Sequence, residues 1–382
     1  MNKILIQHSF SNKILEILKN NFGENADQIF EKSNLIQYLN IKTKSADRDS
    51  KSRGSFANIY ALYIIIEDYI NKGYLDPSLD YTKYDGAKFT ELLIRQRELP
   101  FGKKLQNHAL NNRLNSEFRK YFPSLQIVPI IRDVQKQKYW IQEDLLRISI
   151  RDNNGQDKHE NIALSIIQII DKYIEIKMQS FDLFISSCQK IATLTHKDPD
   201  EAISFIKEQL QPNSDARIFE IVSYAVLKAK YGRESIWIGY SKNDVSEEVL
   251  ILYKTGRTNA NDGGIDFVMK PLGRFFQVTE TIDANKYFLD IDKVQRFPIT
   301  FVVKTTDSPK KIKNLIREQA KAKYKIESIV NSYMDSIEEI INVPYLIESF
   351  EKLLNTNVLA EIMNEIIIQS KVEFNYSDDI SY

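Results

Sequence analysis

The sequence is short of several things, and each shortage removes a class of protein. It holds one cysteine, Cys188, in 382 residues. A single thiol cannot close a disulfide within the chain or build a cysteine zinc site. Its expected place is the core, as a small apolar residue. No stretch reaches the ~18–20 consecutive apolar residues of a membrane helix, so no membrane partner is expected. The segment Met1 to His8 lacks the apolar run of a secretory leader, which makes the cytoplasm the expected compartment. Net charge is missing too, since 52 Lys and Arg face 52 Asp and Glu. Neutrality withholds the usual signature of a nucleic-acid binder, yet it leaves room for Lys and Arg to gather in one cleft. No internal repeat is present.

What remains is a globular composition, 43% hydrophobic and 27% charged. The length fits two domains. The turn residues Pro212 and Asn213 mark the expected boundary, with a mostly α-helical domain over 1–212 and a mixed domain over 213–382. The expected class is α/β, or α+β overall: a helical first half, then a mixed β-sheet flanked by helices.

In the first half, residues 9 to 38 read as two short amphipathic helices broken at Gly23. Residues 41 to 55 form a polar loop with five basic residues (Lys42, Lys44, Arg48, Lys51, Arg53) against two acidic ones. It is either solvated or in contact with phosphates, whose oxygens suit Lys, Arg and Ser. Phe56 to Ile70 is an apolar, buried helix ended near Gly73. Two helical segments then flank Pro100 and Gly102, with Leu105, Ala109, Leu110 and Leu114 as their core stripe. The polar residues of this region include Arg95, Arg97, Lys103, Lys104, Asn107, Asn111 and Arg113, and few glutamates. Arg reads guanine and Asn reads adenine by paired hydrogen bonds in the major groove, so these seven are candidate DNA contacts beside the plainer reading of a soluble face. His108 among them is a surface or core hydrogen-bonder. Strands are expected at Gln126 to Ile131 and Tyr139 to Ile141, a loop at Asp152 to Asp157, and a long helix from His159 to about Thr195.

The second half opens with a helix capped by Asn213 or Ser214, with Asp215 favouring its positive end. Ile218, Ile221, Val222, Ala225, Val226 and Ala229 form its buried stripe, and Glu220 lies beside that stripe. Ser235 to Ser241 is a strand, and Val249 to Lys254 a strand or short helix. A polar loop with Arg257, Asn259 and Asn261 follows and suits DNA. Next comes a hairpin: Gly263-Gly264, the strand Ile265 to Met269 with Asp266 in it, a turn at Pro271 and Gly273, and the return strand Phe275 to Thr281. Alternation puts Gln277 and Thr279 on one face and Phe276 and Val278 on the other, so Asp266 and Gln277 sit side by side. A carboxylate in an apolar strand needs a partner or a cation, and Mg²⁺ takes such oxygen ligands. Ile299 to Thr305 is a further strand. The helix after it carries Lys310, Lys311, Lys313 and four more basic residues against Glu318 alone, a candidate phosphate surface. The last 50 residues are expected to be helical and turn acidic at the tail, serving packing or dimerisation.

Gly-Gly-Ile-Asp266-Phe, a short turn, then Phe-Gln277-Val-Thr279 resembles the metal-binding hairpin of the PD-(D/E)xK nuclease superfamily, in its Mrr-like restriction-enzyme branch with Gly-x-Asp and Gln-x-Lys. Arg217-Ile-Phe-Glu220 resembles the helix that precedes this hairpin in many restriction endonucleases. The likeness covers roughly residues 213 to 306. It implies a Mg²⁺-dependent type II restriction endonuclease that cuts double-stranded DNA as a homodimer. Asp266 would be the central ligand, Glu220 a second carboxylate, and Gln277 and the Val278 carbonyl further oxygens. Thr279 stands where the family has a catalytic lysine. Lys304, Glu280, or Thr279 with metal-bound water would take over that task. Two rivals stay open: a DNA-binding protein on a nuclease-like core that no longer cuts, and a helical scaffold with a chance hairpin.

Overall fold

The computed structural model describes residues 8–44, 46, 52–103, 105–151, 156–194, 199–255, 265–354 and 358–374. Its architecture is α+β, as expected. The chain divides into two compact units, Met1–Leu183 and Phe184–Tyr382, a division upstream of the Pro212 turn.

The first unit is built on helices. α1 (Ser9–Phe22) ends at Gly23, whose φ of 56° turns the chain, and α2 (Ala26–Lys32) and α3 (Asn34–Lys42) follow. α4 (Ser52–Asn71) is apolar on nearly every side from Phe56 to Ile66 and sits in the middle of this core. The short β1 (Ala87–Lys88) leads into α5 (Phe89–Glu98), and a π-helical turn, Ala109–Arg113, runs into α6 (Leu114–Tyr121). β2 (Ile130–Asp133) and β3 (Lys138–Ile141) form the expected pair, with β1 on the far side of β3. β4 (Arg147–Arg151) and β5 (Asp157–Asn161) make a second antiparallel pair, so His159 to Asn161 are strand where the start of the long helix was expected; most of the loop expected at Asp152 to Asp157 lies outside the described residues. α7 (Ala163–Leu194) is the expected long helix.

In the second unit, α8 (Pro199–Gln209) packs on α9 (Ala216–Tyr231). β6 (Ser235–Ser241) and β7 (Asp244–Val249) form a separate two-stranded ladder, with Trp237 71% exposed. β8 (Ile251–Lys254), β9 (Phe267–Lys270) and β10 (Arg274–Thr279) make an antiparallel meander. α10 (Ala284–Lys293) crosses to β11 (Ile299–Val303), which pairs parallel to β10. α11 (Pro309–Tyr324) and α12 (Glu327–Asp335) lead to β12 (Ile337–Ile341), parallel to β11. α13 (Val343–Leu353) and α14 (Leu359–Phe374) then pack on α9. The sheet order is β12-β11-β10-β9-β8. β12 corrects the expectation of an all-helical end: Ile337, Ile340 and Ile341 gain more by completing the sheet than their helical context offers.

The sheet is covered on both faces. Leu252, Phe267, Met269, Phe276 and Val302 join a core with α9, α13 and α14. Ile299, Phe301 and Val303 join a second core with α10 and α11. The α9 face and the α10 face are therefore distinct layers. Among the described residues no helix is long and apolar enough to cross a membrane.

Candidate functional site

The end of β8, the start of β9 and the ends of β10 and β11 lie at one edge of the sheet, because β9 runs against its neighbours and β11 runs with β10. Lys254, Asp266, Thr279, Glu280 and Lys304 all belong to that edge by their positions in or just beyond these strands.

Asp266 stands where β9 and β10 part. Regular pairing ends at Phe267 opposite Phe276. Beyond it, the Asp266 amide donates to the Phe276 carbonyl at 2.9 Å, and the Val278 amide donates to Asp266 Oδ2 at 2.7 Å. A carboxylate oxygen thus replaces a ladder carbonyl. Thr255 ties Asp266 to the end of β8, its amide donating to the Asp266 carbonyl at 2.9 Å. Gln277 is half-buried; its Nε2 donates to the Val278 carbonyl at 3.3 Å, while its Oε1 is buried with no hydrogen-bond partner. An unsatisfied buried amide oxygen is costly, so this edge offers an acceptor in want of a cation or donor.

Glu220 reaches the α9 face from the second turn of its helix. The cap that starts the helix is Asp215, whose Oδ1 accepts from Arg217 N at 2.7 Å and Ile218 N at 3.0 Å. That corrects the expected Asn213 or Ser214: of three adjacent polar residues, only Asp215 lies within reach of the first free amides. Tyr224 fixes α9 on β8 by donating to the Leu252 carbonyl at 3.1 Å, and burial pushes its phenol up to about 12. Glu220 Oε1 is paired with Lys254 Nζ at 3.1 Å, both side chains nearly buried. On the same face, Lys304 donates to the Ser214 carbonyl and pairs with Glu280 at 2.9 Å. Lys304 and Glu280, two of the three replacements expected for the lysine of the resembling superfamily, are thus each other's partners.

The other face carries Thr279. Its Oγ1 accepts from Lys286 Nζ at 3.1 Å, and it lies 3.3 Å from the Thr281 carbonyl. Neither Lys254 nor Lys286 was singled out by the sequence reading. Leu252 and Lys254 share a face by alternation, and that signal was present in β8. Lys286 required knowledge of α10, whose start is marked by Asp283 as a side-chain cap accepting from Asn285 N at 2.9 Å.

The expected DNA contacts scatter. Arg257, Asn259, Asn261 and Lys104 lie outside the described residues. Arg95 makes a two-pronged pair with Glu67, both bonds 2.8 Å. Arg97 donates to the Leu105 carbonyl at 3.3 Å. Asn111 accepts from the Tyr139 hydroxyl at 3.1 Å, and Asn107, half-buried, gives its carbonyl to the Asn111 amide at 3.1 Å. Lys103 and Arg113 are exposed. On α11, Lys310 is exposed, Lys311 pairs with Asp307 at 2.7 Å, and Lys313 donates to the Ile337 carbonyl at 3.3 Å. Among the described residues no three His, Cys, Asp or Glu side chains gather as a metal cluster. No protein family, curated protein or solved structure matches this chain.

Proposed function

We propose that this chain is a sequence-specific endonuclease of double-stranded DNA, a cytoplasmic type II restriction enzyme that works as a homodimer with Mg²⁺. One observation supports the reading: the Asp266 carboxylate at the parting of β9 and β10 takes the Val278 amide, and the residue before Val278, Gln277, has a buried Oε1 with no hydrogen-bond partner. Asp266, Gln277 Oε1 and the Val278 carbonyl are the oxygens that would hold the ion, and a hard cation with one carboxylate and several waters suits them. A bound Mg²⁺ supplies the positive charge that phosphodiester hydrolysis needs. Glu220, neutralised by Lys254, serves here as the partner that keeps Lys254 at the sheet edge. Lys103, Arg113 and Lys310, exposed in their respective units, are candidate backbone contacts, and salt should weaken binding through counterion release. A palindromic target would call for a twofold dimer.

A second reading has its own support. The two lysines at this end of the α9 face, Lys254 and Lys304, are bound to carboxylates, which favours a DNA-binding protein that does not cut. Plasmid and phage DNA incubated with Mg²⁺ or EDTA separates the two. Discrete, Mg²⁺-dependent fragments are expected from the wild type, with Asp266→Asn slower by at least ~100-fold, the scale of losing one preorganised electrostatic group. A shift on a native gel without cleavage would establish the binder instead. Intact DNA that never shifts would remove nucleic acid from the account.

A further inference from the structure

We infer that Lys286 is the ammonium group that meets the scissile phosphate, and that Thr279 is the residue that positions it. The inference rests on the nuclease reading and adds a residue to it.

Among the described residues, three lysines approach this edge of the sheet. Lys254 is bound to Glu220 and Lys304 to Glu280. Lys286 alone of the three makes no ion pair among the described residues; its Nζ donates to the Thr279 hydroxyl at 3.1 Å. A hydroxyl orients an ammonium without neutralising it, so the full charge is kept for an anion. Thr279 is 3% exposed and fixed by the β10–β11 ladder, where it pairs with Val303. The anchor is therefore rigid, while the lysine it holds is exposed. Alternation along β10 puts Thr279 on the same face as Gln277, two residues earlier. Lys286 thus belongs to the face that carries the unpartnered Gln277 Oε1.

The first turn of α10 is itself held in place. The Ala284 amide donates to Gln319 Oε1 at 2.9 Å, and Gln319 Nε2 donates to the Ile282 carbonyl at 3.2 Å. Lys323 of α11 donates to Asn285 Oδ1 next to Lys286, again a neutral oxygen. Two exposed ammonium groups bound only to neutral acceptors make this the side from which a phosphate backbone would come.

In the hydrolysis, the oxygen of water forms a bond to phosphorus, and the bond from phosphorus to one sugar oxygen breaks, its electron pair staying on that oxygen. One water proton ends on the leaving sugar hydroxyl. The other is released to solvent as the new phosphate ionises. Lys286 gains and loses no proton. It donates a charge-assisted hydrogen bond to a phosphate oxygen, and that bond strengthens as negative charge builds there.

The full-length chain is assayed for plasmid cleavage in Mg²⁺ and for DNA binding by gel shift in EDTA, as wild type, Lys286→Met, Lys286→Arg and Thr279→Val. Lys286→Met should lower cleavage by at least ~100-fold while binding changes by less than about threefold. Lys286→Arg should restore part of the rate, since it keeps the charge. Thr279→Val should lower kcat and leave KM unchanged, the mark of a lost positioning contact. Cleavage by Lys286→Met within about threefold of wild type would overturn the inference and leave the nuclease reading standing. Equal losses of binding and cleavage would also overturn it, by making Lys286 a general phosphate contact. A wild type that binds DNA and never cuts would overturn both.

Discussion

On the α9 face of the five-stranded sheet, Lys254 and Lys304 each meet a carboxylate; on the α10 face, Lys286 meets a hydroxyl. Burial accounts for the contrast. Lys254 and Glu220 are 11% and 10% exposed in their side chains, and Lys304 is 3% exposed. A charge taken so far out of water needs an opposite charge beside it. Lys286 keeps its water and needs none. The same edge of one sheet therefore has a structural side, whose charges are spent on each other, and a side with charge to offer.

The comparison breaks most sharply at Glu220. Glu220→Ala leaves Lys254 buried without its carboxylate and should cost about 3–5 kcal/mol in a urea titration. The double variant Glu220→Leu with Lys254→Met should recover most of that loss, because an apolar pair of similar volume replaces a buried ion pair at little cost. Lys304→Met comes next. Glu280 is 37% exposed and stays solvated when its partner leaves, so the loss should be about 1.5–3 kcal/mol, the range for hydrogen bonds to a charged group. If Lys304→Met proved as costly as Glu220→Ala, burial would not be what separates the two pairs.

Smaller effects belong to the first unit, where charges lie nearer water. Arg95 and Glu67 make two good hydrogen bonds, yet Arg95 is 42% exposed in its side chain. Arg95→Ala should cost at most ~1 kcal/mol. Asp68 is half-buried and Asp171 lies exposed, and partial desolvation raises both carboxyls above 3.8. The folded chain keeps their protons at a pH where the unfolded chain has released them. Their contribution is present below pH 3.8 and is lost as pH rises through the raised folded values. The pair Asp68→Asn and Asp171→Asn should flatten that decline. In the second unit, Cys188 is fully buried, and burial pushes its thiol up to about 12. It should resist a thiol reagent in the native protein and react once unfolded.

Much of the framework could be read along the chain. The apolar run of α4, the stripe of α9 and the long α7 follow from periodicity, and the β9–β10 hairpin follows from its glycines, proline and alternation. Asp266 comes out beside the return strand, with its carboxylate on the amide of Val278, the residue after Gln277. Other elements gave weak local signals. β5 reads Asp-Lys-His-Glu-Asn, which carries no strand preference and depends on pairing with β4. β12 reads Ile-Glu-Glu-Ile-Ile inside a helical stretch, and only the open edge of β11 makes it a strand. The partners of Glu220, Glu280 and Thr279 are Lys254, Lys304 and Lys286. Each of those contacts is set by how helices and strands come together, and residue spacing does not encode it.

The most direct measurement is a calorimetric titration of the full-length chain with Mn²⁺, a divalent ion of similar oxygen preference to Mg²⁺, for wild type and Asp266→Ala. Saturable binding by the wild type that disappears in Asp266→Ala is the predicted result. Equal binding by both, or none by either, would contradict the assignment of Asp266 as the centre of the site.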